Sequence, residues 1–226
     1  MNVIRMHGVN RFATLGLVVG LTAGFATTGV TQSVSGQAYG AYVNTPLGAV
    51  SQSPLAVLPS ISISGIDGDV ATAQADALNV GGALSSSFLN SMTSGTIGTA
   101  EAGAQSTATV ANVNILGGLI TATQVIATVV SSGTASGATS NANGTTFENL
   151  TVAGTPVTTG DAPVAPNTQM SLPGVGYVVL NEQIPSGDGV TSSGLTVNMI
   201  HVVLLNTLTG TKTGEIIVGS ASSSVN

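Results

Sequence analysis

The chain has no cysteine and no tryptophan, and it carries only three basic residues in 226. Without cysteine there are no disulfides and no thiolate chemistry, so stability has to come from core burial and backbone hydrogen bonding. Two of the three cations, Arg5 and Arg11, stand at the very start, leaving Lys212 alone against nine carboxylates in the rest of the chain. A body without a basic patch cannot displace counterions, which makes nucleic acid and anionic membrane surfaces poor partners. Charged residues make up 5% of the chain and aromatic residues 3%. A soluble domain ordinarily has roughly 25% charged residues, so hydroxyls and amides must do the solvating here. Disorder is excluded by the 42% apolar content and the mean hydropathy of +0.47, since disordered chains pair low hydrophobicity with high net charge.

What is present begins with a leader. Arg5 and Arg11 precede an apolar run, Phe12–Ala26, centred on 15–21 and closing on the small residues Gly24 and Ala26. This is the tripartite pattern of a secretory signal peptide, with cleavage expected after Ala26. The run is too short for a spanning helix, which needs about 20 apolar residues, so no membrane span is expected after cleavage. Residues 27–36 form a polar lead, either flexible or an edge or donor strand.

From Gln37 onward the apolar spacing is that of strands. Residues 37–43, the turn at Thr45–Gly48 and the run to Leu58 predict an opening hairpin. Pro54 and Pro59 push its second arm to a sheet edge, because proline cannot donate to a ladder. Asp69–Leu84 is readable either as a helix capped by Asp69 and stopped by Gly81-Gly82, or as a strand with small residues on both faces. Two β-branched runs, 104–116 and 119–130, flank Gly117-Gly118 and predict a long hairpin. Residues 131–145 read as an exposed polar loop. Further strands are expected at 146–152, 168–172, 175–183, 194–205 and 214–221, the last two as a hairpin. The expectation is an all-β, single β-sandwich or jelly-roll-like domain of about ten strands over 37–221, with 222–226 as a tail. A β-solenoid is the alternative, although no fixed repeat period is visible.

Few residues offer chemistry. After the leader, His201 is the one histidine. Strict alternation puts it on one face with Val197, Met199 and Val203, as a core or interface histidine with its nitrogens satisfied. No G-x-S-x-G elbow accompanies it, and one histidine cannot build a zinc site. Asp67, Asp69 and Asp188 sit beside glycines and are weak calcium candidates, since hard oxygen ligands on loops suit that ion. Neither of their loops follows a twelve-residue calcium pattern, so the turn reading is preferred and no cofactor is expected. A pair of carboxylates for glycoside hydrolysis could be drawn from Glu101, Glu148, Glu182 and Glu215, but any acidic chain allows such a selection.

Four passages carry a resemblance: Gly36–Gly40, Ala108–Ala122, Leu172–Gln183, and Leu195–Val202 with Val218–Ala221. Together these resemble the bacterial surface proteins called the choice-of-anchor P family, along nearly the whole chain after the leader and in the same order. The resemblance implies an exported bacterial envelope protein with no enzymatic activity and no catalytic residues to carry over. In that family the body is joined to varied C-terminal anchors. This chain stops at Ser222–Asn226 without a sorting motif, apolar helix or basic tail. The expected role is a secreted, non-enzymatic cell-surface or extracellular-matrix structural protein, self-associating through sheet edges into filaments or held by another envelope component. The alternative is an adhesin or glycan-binding module that uses the loops 131–145 and 184–193 with calcium assistance.

Overall fold

The computed structural model describes residues 32–45, 55–57, 61–63 and 68–226. The leader 1–26, residues 27–31, the turn at 46–48, Pro54, Pro59 and Asp67 lie outside the described residues. Residues 31–226 cluster as one compact unit.

Within the described residues the chain is all-β. It opens with β1 (Val34–Asn44), β2 (Leu55–Val57) and β3 (Ile61–Ile63). A second group follows: β4 (Asp69–Ala75), β5 (Leu78–Val80), β6 (Leu84–Ser86), β7 (Phe88–Ile97), β8 (Glu101–Ile115), β9 (Ile120–Thr134), β10 (Gly137–Asn141), β11 (Thr146–Glu148), β12 (Thr151–Val152), β13 (Thr155–Pro156) and β14 (Asp161–Ala162). The chain then closes with β15 (Thr168–Leu172), β16 (Gly176–Ser186), β17 (Ser193–Leu205) and β18 (Lys212–Val225).

These strands form two antiparallel sheets that pack as a β-sandwich. Sheet A has the order β15-β16-β17-β18-β1-β2, with β3 also on β1, so both ends of the described chain build it. Sheet B holds β4–β14, with β4-β7-β8-β9 as its main run. Across the interface β1 lies against β7 and β8, and β18 against β8 and β9. Most neighbours in the sheets are successive hairpins, but β18 lies beside β1, β7 beside β4 and β8 beside β6, so the β-sandwich expected from the sequence also contains non-sequential pairings.

Local sequence accounts for most elements. Gly117 (φ 67°) and Gly118 (φ 96°) supply the left-handed turn between β8 and β9, as two β-branched runs around a glycine pair predict. The 69–84 alternative resolves as strand. Ala71, Ala73 and Ala75 turn inward while Val70, Thr72 and Gln74 are exposed, a period of two, and Gly81-Gly82 turn the β5–β6 hairpin. The expected loop at 131–145 is corrected: β9 runs on to Thr134 and β10 pairs back on it. The expected tail is corrected too, since β18 continues to Val225, which pairs with Val34 of β1. Val34–Gly36, the end of the polar lead, is therefore an interior segment flanked by β18 and β3.

The core has two apolar parts separated by hydroxyls. The larger cluster includes Leu89, Val110, Val125, Phe147, Val197, Met199 and Val218. A smaller one joins Val34, Ile97, Ala102, Ala104, Ala138 and Val225 at one end. Between them Thr93 bonds Ser106 (2.8 Å), which donates to the Ser222 carbonyl (2.7 Å), and Ser131 bonds both Ser223 (2.7 Å) and Ser140 (2.8 Å). Ser140 continues to Ser193 at 2.9 Å. These buried hydroxyls are tolerable because each finds a partner, and the Ser106–Ser222 and Ser131–Ser223 bonds link the two sheets.

Candidate functional site

The rare side chains of this protein converge on the outer face of sheet A, and a kink in the sheet puts them there. The β16–β17, β17–β18 and β1–β18 ladders each omit one pair, at Asn181/Met199, Met199/Gly219 and Gly40/Gly219. Asn181 (φ 48°) and Gly219 (φ 67°) take left-handed backbone there, which asparagine and glycine accept most readily. The kink shifts the pleat by one residue. Val197 and Met199 face the core below it and Ile200 and Val202 above it, while Asn198 and His201 both face outward. The expectation that His201 shares a face with Val197 and Met199 is corrected for this reason, although its nitrogens are satisfied as expected.

A chain of hydrogen bonds crosses this face. Tyr39 of β1 stands opposite Ser220 of β18, and Ser220 donates to Asn198 Oδ1 at 2.8 Å. Asn198 Nδ2 donates to Glu182 Oε2 at 2.7 Å, and His201 Nδ1 reaches the same oxygen at 2.9 Å. The other ring nitrogen, Nε2, lies 3.1 Å from Glu215 Oε2, which also accepts from Lys212 Nζ at 2.7 Å. A neutral imidazole would turn a lone pair toward one of the two carboxylates, so the arrangement favours the imidazolium, donating from both nitrogens. The bond to Glu182 raises the His201 pKa against partial burial, and the same bond lowers that of Glu182. Burial pushes Glu215 up, but the bonds from Lys212 and His201 outweigh it and the net shift is downward. Burial raises Tyr39. With both nitrogens committed to carboxylates, His201 has none left to activate a hydroxyl.

Of the four glutamates, the fold brings together Glu182 and Glu215, with His201 between them. Glu101 and Glu148 lie in sheet B on β8 and β11. Asp188 braces the β16–β17 turn: its carboxylate accepts from the Val190, Thr191 and Ser192 amides (2.8–2.9 Å) and from the Thr191 and Ser192 hydroxyls. Those bonds push its pKa far below the ordinary carboxylate range. Asp69 begins β4 in the other sheet, so these two aspartates do not share a ligand set. Among the described residues no three His, Cys, Asp or Glu are gathered around a metal position.

Two further features have binding geometry. A groove of about 580 Å³ runs between β10 and β16, lined by Ser140, Asn141, Asn143, Asn167, Gln183 and Pro185 among others. Sheet B also has an open flank: β4 pairs with β7 on one side, and among the described residues no strand pairs with its other side. The charge network and the open flank both depend on cross-strand placement, which spacing along one strand does not encode. The sequence signal for the kink was Asn181 and Gly219 interrupting apolar strands.

No family model, curated protein or solved structure matches this chain.

Proposed function

We propose that this chain is a non-enzymatic structural protein of the bacterial cell surface or extracellular matrix, exported by its leader and self-associating through a sheet edge. The observation that carries this reading is β4, a seven-residue strand whose flank away from β7 is paired by no other described strand. It contains neither proline nor lysine, the usual guards of an exposed edge, and it presents Val70 at 68% exposure. The experiment is sedimentation velocity of the purified protein over a dilution series, alongside fractionation of the producing cells. Concentration-dependent association with recovery at the surface or in the medium is expected. A monomer at every concentration, or retention in the cytoplasm, overturns the reading.

The amide-lined groove favours a second reading, a glycan-binding module. Asparagine and glutamine amides both donate to and accept from sugar hydroxyls, and the groove lies between the two segments named from the sequence. Binding on an array of neutral glycans that is lost in Asn141→Ala with Gln183→Ala supports it. Calcium enters this reading only if chelation abolishes that binding.

A further inference from the structure

We infer that the self-association edge is β4 pairing with β4 of a second copy, antiparallel about a two-fold axis through Thr72, and that this contact closes at two copies. The inference rests on the self-association reading and adds to it both the partner strand and the stoichiometry.

Among the described strands, β4 is the only one longer than five residues with an unpaired flank. The other margins are short or covered. β15 has five residues and stands between Pro166 and Pro173. β2, β3, β5, β13 and β14 have two or three residues each. β10 is already engaged beyond its hairpin partner, since the Ala138 amide donates to the Val190 carbonyl at 3.1 Å. With one competent edge among the described strands, pairing through that edge is isologous, and an isologous contact closes as a dimer. An open filament needs two different edges.

The sequence of β4 suits that pairing. Centred on Thr72, all seven residues overlap, about 24 Å of ladder. Asp69 then faces Ala75, Val70 faces Gln74 and Ala71 faces Ala73, with the exposed row Val70, Thr72 and Gln74 kept on one face of both copies. No like charges lie directly opposite. Asp69 and Asp76 of the two copies approach only at the ends of the ladder, where water and salt screen them, so added salt strengthens the dimer.

Because the chain has no cysteine, Thr72→Cys creates a single reporter. Directly opposed residues in an antiparallel pair have Cα atoms about 4.5–5.5 Å apart, within disulfide range. The test is mild oxidation of Thr72→Cys beside a Gln169→Cys control on β15, with sedimentation of Val70→Lys/Thr72→Lys, whose substituted side chains are solvent-exposed. The expected result is a covalent dimer for Thr72→Cys only, and a monomer for the lysine variant with an unchanged circular dichroism spectrum. Larger assemblies of the unaltered chain overturn closure at two copies. A dimer that survives the lysines without cross-linking at 72 overturns β4 while leaving self-association standing. A monomer under every condition, with no cross-link, overturns both.

Discussion

Replacing His201 with glutamine keeps a polar side chain on the sheet A surface but removes the charge that both glutamates face. Hydrogen bonds to charged groups are worth about 1.5–3 kcal/mol each, less where water reaches them, so a loss of about 1–2 kcal/mol is expected near pH 5.5. The effect depends on pH with a definite sign. Folding raises the His201 pKa, so its contribution is complete below the ordinary value of 6.5 and drains away as pH rises through the higher folded value. Folding lowers Glu182 and Glu215, so theirs is complete above 4.5 and is lost as pH falls through their lower folded values. Denaturant titrations should therefore show the stability of the network greatest between about 4.5 and 6.5. His201→Gln should flatten the decline above neutral pH. That this histidine has satisfied nitrogens was legible from its setting in an apolar strand. Which partners satisfy it was not, because Glu182 and Glu215 reach it only through the register of three strands and a pleat shift at Asn181 and Gly219.

At the scale of elements, the two sheets approach closely at the hydroxyl belt because the residues there are small. A Cβ placed on Gly36 would collide with the Thr93 side chain and lie 2.8 Å from Ser106 Oγ. Gly36→Ala should wedge β1 from β7 and β8 at a cost of about 1–3 kcal/mol, read as a lowered urea midpoint with unchanged slope. Ser131→Ala and Ser223→Ala should each cost about 1 kcal/mol. Their double variant should cost less than the sum, since Ser131→Ala already orphans the Ser223 hydroxyl. Chemical denaturation of the four species measures that coupling. The β8–β9 hairpin was legible because β-branched runs around two glycines are a local code. The segment 131–141 was misread as loop for a physical reason: serine, threonine and glycine compose both exposed loops and tightly packed strand interiors. Only the facing sheet reveals that Ser131 and Ser140 are bonded inward.

For the molecule as a whole, the sandwich class followed from strand spacing, but its strand order did not, because β1 and β18 pair across nearly the full length of the body. The contact is closed at its end by Ser33 and Asn226, whose backbone groups exchange two hydrogen bonds of 3.0 and 2.9 Å. Deleting 222–226 removes the partners of Val34–Gln37 and takes Val225 from the smaller apolar cluster. Several kcal/mol should be lost, on the order of 10 °C in Tm for a domain of this size, as measured by calorimetry. The same pairing sets an order of events in time. A ribosome delivers β1 long before β18, so sheet A lacks its middle until β18 emerges. Contacts this distant in sequence close slowly, and a chain built this way stays threadable until β18 arrives.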